Sequence, residues 1–351
     1  MTTRVLLYGA TGYTGQLIAR KAKATGFPLL LAGRQESKLQ ALAASLGFAY
    51  RVAPLEHTSQ LHACLQDIDV VLHVAGPFST TAQPMVDTCL QRGIHYLDVS
   101  GELPVFVALS QRDAEAKARK SMLMPGVGHV IAPSDCLAAH VSRRLPGAQQ
   151  LHLAVSRPDF ISRGSLHTML SLVSERVHIR RQGRMTTAPV GELCRSFAFG
   201  KGKSACTAVS WPDVFTAFYT TGIPDITVYS EANEIERLGY TLGGRLAPLL
   251  RGSLPQALWQ AQMSFFPEGP SEEARRGSVR TIVAEAIDRQ GRRVSSRLRT
   301  PDGYTFTGTT ALAIAARVLA GEVESGFHTP GQLYGADFIL QLDGVTREDL
   351  H

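Results

Sequence analysis

The sequence predicts an α/β protein, with an N-terminal doubly wound parallel sheet and a second α+β domain built on a mixed or antiparallel sheet. Over the first 125 residues, short apolar runs alternate with amphipathic segments, which indicates parallel strands covered by helices on both faces. After Pro125 the rhythm changes and the chain favours strands. The 351 residues, of which 44% are hydrophobic, suffice for one large or two medium domains.

The apolar runs of the first part are predicted to be its strands, and the segments between them its helices. The predicted strands are Arg4–Tyr8, Pro28–Ala32, Phe48–Val52, Val70–Val74, His95–Val99 and Met122–Pro125. The predicted helices are Thr14–Ala24, Glu36–Leu46, Ser59–Leu65, Thr80–Arg92 and Phe106–Lys120. This order is typical of the doubly wound, Rossmann-type folds that bind dinucleotides.

The second part is predicted to begin with a helix that runs to about Arg144, because Pro133 and Ser134 are start signals. Its predicted strands include Gln150–Val155, Ile226–Ser230, Ser278–Asp288 and Val294–Thr300, the last two joined as a hairpin. An apolar helix at Thr309–Ala320 is expected to return to the first domain. We therefore predict one domain at residues 1–130, with a returning segment at 305–351, and a second domain at residues 131–304.

Composition argues against several classes of protein. The net charge is +6, but the arginine clusters lack interleaved aromatic residues, so we expect no nucleic-acid partner. The five cysteines form no CxxC pair or zinc pattern, which predicts reduced thiols, no metal and a cytoplasmic location. We find no signal peptide and no apolar run long enough for a transmembrane segment. The apolar stretch Leu246–Phe266 is predicted to be buried or interfacial, with peripheral membrane contact left open.

A glycine-rich turn between the first strand and the first helix carries the strongest functional signal. Gly9, Gly12 and Gly15 form a G-x-x-G-x-x-G motif in this context. Gly9 would make the sharp turn, Gly12 would let backbone N–H groups approach a pyrophosphate, and Gly15 would let helix and strand pack closely. The alternative is a turn without a ligand. The residues expected at the cofactor here are Gly9, Thr11, Gly12, Tyr13, Thr14 and Gly15.

The end of the second strand indicates which nucleotide binds. An NAD site usually has an acidic residue here that contacts the ribose 2′-hydroxyl, whereas this chain has Arg34, with Lys38 one helical turn further on. A guanidinium suits a 2′-phosphate and stacks on adenine. Glu36 is the residue that would favour NAD. We therefore predict NADP, as NADPH, over NAD.

The ends of the fourth and fifth strands add further candidates, because ligands of open α/β sheets lie outside the carboxyl ends of the strands. Small residues after the fourth strand would let a cofactor pass the backbone, and Ser100 and Glu102 follow the fifth strand. The alternatives are an ordinary loop and the capping of the next helix. The predicted cofactor contacts in this region are Ala75, Gly76, Pro77, Phe78 and Ser100.

Several stretches together resemble the saccharopine dehydrogenase-like oxidoreductases, near the branch of the trans-acting enoyl reductases. These stretches are GATGYTG, LAGRQESKL, VAGPFSTTAQPMVDTCLQRGIHYLDVSGE, VGHVIAPSDCLA, FFPEGPSEEAR, TPDGYTFT and GFHTPGQLYGADFILQLDGV. The resemblance implies an N-terminal NADP-binding domain, a substrate and dimerisation domain at residues 131–304, and a homodimer. Relatives usually carry Gly-Phe-Asp where this chain has Gly128-His129-Val130, so their acidic residue is missing here.

Reduction by hydride transfer also needs a proton donor. No tyrosine has a lysine four residues later, which argues against a classical short-chain dehydrogenase, and Cys136 reads better as a packed thiol than as a nucleophile. Structural roles remain open for each candidate donor, such as a favourable helix-dipole position for Asp135. The candidate donors are Glu102, His129, Asp135, Tyr304 and Tyr334.

The apolar stretch Leu246–Phe266 favours a bulky apolar substrate. With the resemblance, it predicts an oxidoreductase that reduces a C=C or C=O bond of a lipid- or polyketide-like small molecule. An amino-acid-type saccharopine reductase is one alternative and would need converging arginines. A non-catalytic NADP(H)-binding sensor or scaffold is another, motivated by the missing acid at Val130. The candidate arginines are Arg157, Arg163, Arg180 and Arg181.

Overall fold

The computed structural model describes residues 4–160, 162–163, 176–200, 202–239, 241–242 and 268–350. The chain divides into two compact units, each described separately below. The first unit comprises Met1–Ala132 and Gly303–Leu333, and the second comprises Pro133–Asp302 and Tyr334–His351. This division differs from the predicted domains at the C-terminus, where Tyr334–His351 groups with the second unit.

A parallel sheet forms the centre of the first unit, as predicted. Its spatial order is β15-β6-β5-β4-β1-β2-β3, and every neighbouring pair is parallel. Strands β1 and β4 are buried along their whole length, as expected for parallel strands covered on both faces. The strands of this sheet are β1 Val5–Tyr8, β2 Leu30–Gly33, β3 Ala49–Val52, β4 Val70–His73, β5 His95–Asp98, β6 Met122–Met124 and β15 Gly326–Phe327.

Helices connect these strands in the predicted order. The predicted helix Phe106–Lys120 is wrong in one respect, because the structure has two helices there. The first of them ends at Ser110, whose hydroxyl donates to the carbonyl of Val107 at 2.8 Å and competes with the helical hydrogen bonds. These helices are α1 Tyr13–Thr25, α2 Glu36–Leu46, α3 Thr58–Cys64, α4 Phe78–Arg92, α5 Leu103–Ser110 and α6 Asp113–Ala118.

Two further helices complete the first unit, α10 Gly303–Leu319 and α11 Pro330–Tyr334, although the last residue of α11 groups with the second unit. Helix α10 begins two turns before the predicted start at Thr309. It packs against α1, where Gly308 lies next to Ile18. This earlier start places Tyr304 in the first turn of a helix.

The second unit is built on a mixed sheet, as predicted. Its main order is β10-β11-β12-β7-β13-β14-β16; β8 pairs with β12 and β9, and only β12 and β7 are parallel among the described pairs. The predicted hairpin is confirmed by the antiparallel pairing of β13 and β14. The strands are β7 Gln150–Val155, β8 Arg176–Arg181, β9 Arg184–Pro189, β10 Cys194–Ala198, β11 Lys203–Ala208, β12 Asp225–Glu231, β13 Val279–Ile287, β14 Arg293–Pro301 and β16 Thr346–Asp349.

Strand β16 explains why the end of the chain groups with the second unit. It pairs antiparallel with β14, which places Asp349 opposite Ser296. Asp349 Oδ1 accepts hydrogen bonds from the Ser296 hydroxyl at 2.7 Å and is 2.8 Å from His140 Nε2. The labelled helices of this unit are α7 Ala132–Arg144, α8 Asp213–Thr221 and α9 Glu272–Arg275, with a 3₁₀ helix at Phe338–Gln341. The first residue of α7 belongs to the first unit.

The predicted apolar stretch Leu246–Phe266 lies almost wholly outside the described residues, since only residues 268 onward are described after position 242. Within the described part of the chain, no helix combines the length and the apolar character needed to cross a bilayer.

Candidate functional site

The glycine-rich turn follows β1 at the point where the order of strands reverses, between β1 and β4. Gly9 has a φ of +89°, which only glycine adopts readily. A methyl group on Gly9 would lie 2.7 Å from the Ala75 nitrogen, so the turn also touches the loop that follows β4. Gly9 is therefore required by the packing of the protein itself.

Gly12 and Gly15 are glycines for different reasons. A methyl group on Gly15 would lie 2.3 Å from the Gly9 carbonyl oxygen, so α1 can approach the turn only with glycine there. A methyl group on Gly12 would meet nothing closer than that same oxygen at 3.5 Å. Because Gly12 is exposed and has a φ of −74°, neither packing nor backbone conformation requires glycine. The open side of Gly12 fits the close approach of a pyrophosphate.

The N-terminus of α1 starts at this open side. Gly12 is its N-cap residue, no side chain caps the helix, and its first turn holds no acidic residue. The first N–H groups of a helix carry partial positive charge and bind phosphate oxygens well. Tyr13 and Thr14 follow in this first turn, and Thr11 precedes it, all three half-buried.

A polar cleft of about 320 Å³ adjoins the turn, between α1 and α2. It contains two cations, Arg20 and Lys38, and the amide of Gln16, whose Nε2 donates to the Thr11 carbonyl at 3.0 Å. Arg34 is exposed directly after β2. Sequence reasoning missed Arg20 and Gln16, because only the packing of α1 beside α2 brings them to Lys38. The lining residues are Thr11, Gln16, Arg20, Lys38, Ala41, Leu42 and Ser45.

Glu36, the residue that would favour NAD, begins α2 and is exposed. A carboxylate in the first turn of a helix interacts favourably with the helix dipole. This position gives Glu36 a structural role that needs no ribose contact.

The loop after β4 contains Ala75, Gly76 and Pro77, and its Gly76–Pro77 peptide bond is cis. Gly76 and Pro77 are exposed, Ala75 is half-buried, and Phe78 is buried as the first residue of α4. The Thr81 hydroxyl donates to the Ala75 carbonyl at 2.6 Å. The predicted cofactor contacts of this loop thus form one surface next to Gly9, except for the Phe78 side chain, which packs inward near His73.

Glu102 holds the start of α4. Its Oε1 accepts a hydrogen bond from the Phe78 nitrogen, and its Oε2 accepts one from the Ser79 nitrogen, each at 2.8 Å. Glu102 is buried, and its backbone is the N-cap position of α5. The Glu102 side chain therefore caps α4 and does not cap the next helix, α5, as the capping alternative had it. Both oxygens that a proton donor would use accept hydrogen bonds from backbone N–H groups.

A chain of buried hydrogen bonds links Glu102 to Ser100 and then to Asp98 at the end of β5. The Glu102 nitrogen donates to the Ser100 hydroxyl at 3.1 Å, and the Ser100 nitrogen donates to Asp98 Oδ1 at 2.8 Å. Gly126 N donates to the same oxygen at 3.0 Å, and the Tyr96 hydroxyl donates to Asp98 Oδ2 at 3.0 Å. Ser100 is fully buried. The structure thus gives the Ser100 side chain a supporting role beneath the loop, and its contact with the cofactor stays a prediction.

Burial is the largest cause of the shifted pKa values of Asp98 and His73 in this hydrogen-bonded group. It raises the pKa of Asp98 to about 6, opposed by the N–H groups of Ser100 and Gly126 and by the Tyr96 hydroxyl. Burial also lowers the pKa of His73 to about 3, so this histidine is neutral at pH 7. His73 Nδ1 lies 3.2 Å from the Tyr96 oxygen. These groups stabilise the carboxyl ends of β4 and β5 without reaching solvent.

Besides Glu102, two candidate donors belong to the first unit, Tyr304 in the first turn of α10 and His129, which packs against that turn. The Tyr304 ring meets the Tyr13 ring edge to face, with 5.3 Å between centroids. His129 is buried beside the same helix start, and its nitrogen donates to the Thr307 hydroxyl at 3.1 Å. A methyl group on Gly303 would come within 3.1 Å of His129 Nδ1. The start of α10 therefore brings Tyr304 to α1 and packs against His129.

The other candidates belong to the second unit. Asp135 is fully buried, and its Oδ1 accepts a hydrogen bond from the Thr220 hydroxyl at 2.6 Å, which joins α7 to α8. Burial raises the pKa of the neighbouring Asp213 to about 7, and the charge of Asp135 adds to this increase. Tyr334 packs on Phe338 with 5.4 Å between ring centroids. Cys136 is fully buried, and burial raises its pKa, which agrees with a packed thiol.

The arginines of the amino-acid alternative differ in their surroundings. Arg157 forms an ion pair with Glu236 at 2.8 Å, and Arg181 donates to the Thr227 hydroxyl at 3.0 Å. The backbone of Arg163 donates to Glu268. Arg180 lines a groove in the second unit. The described residues also include no group of histidine, cysteine and acidic side chains arranged to hold a metal ion.

Comparison with known proteins agrees with this geometry. Residues 5–124 match the family model of the saccharopine dehydrogenase NADP binding domain. A trans-acting enoyl reductase of Mycobacterium leprae is 31% identical over 151 residues, covering 40% of this chain and 36% of that protein. A putative trans-acting enoyl reductase of Mycobacterium tuberculosis is 29% identical over 185 residues, covering 48% of this chain and 44% of the relative. The matches thus span less than half the length of either relative.

A solved structure shows the same fold over the whole chain. The apo saccharopine dehydrogenase (L-Glu forming) of Saccharomyces cerevisiae superposes with a TM-score of 0.68 at 14% identity, and the alignment covers 100% of both chains. At this identity the likeness supports the fold alone. Residues 5–124 are therefore similar to the NADP binding domain of saccharopine dehydrogenases, and the chain has the fold of the yeast saccharopine dehydrogenase.

Proposed function

We propose that this protein reduces a C=C or C=O bond of an apolar, lipid- or polyketide-like substrate with NADPH. The observation that supports the proposal most is Gly12, a glycine that neither packing nor backbone conformation requires, at the uncapped N-terminus of α1. When bound, NADPH supplies the hydride for such a reduction. The residues of this chain bind and orient the cofactor, exclude water and hold the proton that completes the reaction.

The phosphates are held by two groups of residues in this proposal. The open side of Gly12 and the first N–H groups of α1 hold the pyrophosphate. Arg34, Lys38 and Arg20 contribute positive charge around the cleft beside the turn and recognise the 2′-phosphate. NAD lacks the 2′-phosphate that these cations would recognise, which is why we propose NADPH.

The loop Ala75–Pro77 guides the cofactor past β4 in this proposal. Glu102 fixes the start of α4 and thereby the end of this loop. The candidates for the proton donor are Tyr304 and His129, because Tyr304 lies in the first turn of α10 and contacts the first turn of α1, and His129 packs against the start of α10. The roles of Glu102 and Asp135 are positioning in this scheme, since their carboxylate oxygens accept hydrogen bonds within the protein.

The apolar substrate class rests on two supports. The relatives are named trans-acting enoyl reductases, and the sequence Leu246–Phe266 is rich in apolar residues. A homodimer, peripheral membrane contact of that stretch and a cytoplasmic location remain predictions. A soluble thioester of an apolar enoyl acid is therefore the first substrate to assay. The matching carbonyl compound is the second.

The first experiment is a calorimetric titration of the purified protein with NADPH and NADH. We expect NADPH to bind more tightly, and Arg34→Ala to weaken NADPH binding about tenfold or more while NADH binding changes little. Arg92→Ala is the matched control, because Arg92 is exposed at the far end of α4. Absence of binding by either nucleotide would remove the basis of the proposed reduction.

A sensor or scaffold that binds NADP(H) without turnover is the second candidate function. It is favoured by the engagement of Glu102 and Asp135 in hydrogen bonds that stabilise the fold. The two functions differ in one readout: a sensor binds NADPH tightly but consumes none of it with apolar enoyl, carbonyl or amino-acid-type substrates. Steady NADPH oxidation that depends on a substrate contradicts the sensor.

A further inference from the structure

A groove in the second unit lies between the β8–β9 hairpin and helix α8. It has a volume of about 530 Å³. Its wall is mostly apolar and aromatic, and one arginine is the single cation among the lining residues. Those residues are Arg180, Met185, Phe215, Phe218, Tyr219 and Gly222.

Arg180 is held rigidly in this groove. Its Nε donates to the Val214 carbonyl at 3.1 Å, and its Nη1 donates to the Gly183 carbonyl at 2.7 Å. The guanidinium carbon lies 4.1 Å from the centre of the Phe218 ring, a cation–π geometry. Arg180 is only 5% exposed. Its charge is therefore fixed in position at the aromatic wall.

The charge of Arg180 has no acidic partner among the described residues. No carboxylate of those residues forms an ion pair with it, whereas Arg195 on the same sheet pairs with Glu285. Burial lowers the pKa of Arg180, and the Tyr219 hydroxyl opposes this shift. Buried cations in proteins are normally paired with an anion. An arginine that is 5% exposed and fixed by carbonyl oxygens alone is thus suited to an anion from outside the protein.

We propose that this groove binds a carboxylate that is attached to an apolar chain or an aromatic ring. The carboxylate pairs with Arg180, since the planar guanidinium matches carboxylate geometry. The apolar part of the ligand packs on Phe215 and Phe218, which line the groove beside it. All the residues involved belong to the second unit, so the proposal goes beyond the reduction proposed above and needs no NADPH.

A calorimetric titration with two matched probes tests this site. The probes are 4-phenylbutanoate and the neutral 4-phenylbutan-1-ol, which share the aromatic body and differ in the charged group. We expect the full-length protein to bind the carboxylate about tenfold more tightly than the alcohol, or better. Equal binding of the two probes, or no binding of the carboxylate, overturns the proposal.

Variants of two hairpin arginines, Arg180 and Arg184, assign the binding to Arg180. We expect Arg180→Met to weaken carboxylate binding about tenfold or more, while the alcohol binds as before. Arg184→Met is the matched control, because Arg184 is exposed on β9 of the same hairpin and does not line the groove. Unchanged carboxylate binding by a folded Arg180→Met protein overturns the assignment.

A second variant keeps the test decisive if Arg180→Met does not fold. Arg180→Lys keeps the charge but lacks the planar fork, so we expect carboxylate binding intermediate between wild type and no binding. Thermal unfolding by circular dichroism establishes that each variant is folded. Carboxylate binding by a folded Arg180→Lys protein that equals that of wild type contradicts a role of the planar guanidinium. A parallel NADPH titration separates this result from the proposed reduction, because NADPH binding is expected to stay unchanged.

Discussion

Glu102 accepts hydrogen bonds from the backbone nitrogen of Phe78 with one carboxylate oxygen and from that of Ser79 with the other, each at 2.8 Å. The residues are more than twenty positions apart, yet this contact fixes the start of α4 directly after the loop Ala75–Pro77. The loop lies against Gly9 of the glycine-rich turn. One buried carboxylate thus connects the end of β5 to the proposed path of the cofactor.

The first prediction concerns this carboxylate. Glu102→Gln replaces one acceptor oxygen by an NH₂ donor, so one N–H of Phe78 or Ser79 loses its partner. We expect the free energy of unfolding to fall by about 1–3 kcal/mol and NADPH affinity to fall with it. Urea unfolding and a calorimetric titration measure the two effects. Glu56→Gln, at an exposed residue, is the control, and equal stability of the two variants would argue against the capping role.

The second prediction separates two glycines of the turn, Gly12 and Gly15. The methyl group of Gly12→Ala would point into open space, and the φ of Gly12 suits any residue, so we expect a free energy of unfolding within about 1 kcal/mol of wild type. We expect NADPH affinity to fall at least about tenfold, because the methyl group occupies the side that the phosphates approach. Gly15→Ala places a methyl group 2.3 Å from the Gly9 oxygen, so we expect a loss of about 3 kcal/mol. Thermal unfolding and NADPH titration check both. Retained NADPH binding by a folded Gly12→Ala protein would contradict a phosphate site at this turn.

The third prediction concerns Arg20, which sequence reasoning did not identify. It lines the cleft with Lys38, although its nearest described contact is a long hydrogen bond of 3.4 Å to Gln16. We expect Arg20→Gln to weaken NADPH binding about threefold to tenfold, because an exposed cation pairs with phosphate in competition with water and salt. NADH binding stays unchanged. The effect shrinks at high salt, and an effect of equal size on both nucleotides would place Arg20 outside the 2′-phosphate site.

The fourth prediction concerns the pH dependence of stability. The pKa of Asp213 rises from 3.8 to about 7 in the folded protein, through burial first and then the charge of Asp135. The folded state therefore binds the proton more tightly, and stability falls as pH rises from about 4 to about 7. Asp213→Asn stays neutral, so we expect it to gain stability relative to wild type over this range, by up to about 4 kcal/mol. Urea unfolding of both proteins at pH 5 and pH 8 measures the change.

The difference in unfolding free energy between wild type and Asp213→Asn reports on Asp213 alone in that experiment. Asp98 also has a raised pKa, about 6, and contributes to the pH dependence of both proteins equally. Only the difference between wild type and Asp213→Asn is therefore assigned to Asp213. A difference that does not change between the two pH values would contradict the raised pKa.

The N-terminal fold followed from local pattern. Apolar runs such as Val5–Tyr8 are buried along their length, and the glycine spacing directly after this run marks the turn into α1, so strand, turn and helix are all encoded by neighbouring residues. The helix break after Ser110 was missed because it depends on the Ser110 hydroxyl and a carbonyl three residues back. Strands β8–β11 were not named from the sequence. They are short, and many of their side chains are exposed or half-buried.

The positions of the glycine-rich turn and of the cations after β2 were predictable from the sequence, whereas the contacts of the other candidate residues were not. Arg34 follows β2 directly and Lys38 lies in the first turns of α2, as the sequence spacing predicts, and their contact with a cofactor stays a prediction. Ser100 and Glu102 also follow a strand, but their roles depend on Asp98 and on the start of α4. Asp135 depends on Thr220 in the same way. Such partners are distant in sequence, and no local pattern predicts them.

The sequence by itself therefore determined the α/β class, the glycine-rich turn and the positive residues after β2, because each rests on residues close together in the chain. The tertiary structure alone decided that Glu102 caps α4, that Tyr304 meets Tyr13 and that Arg180 is buried at an aromatic groove. The physical reason is that hydrogen bonds, burial and charge pairing act between atoms in space. Their partners become known only when the chain has packed.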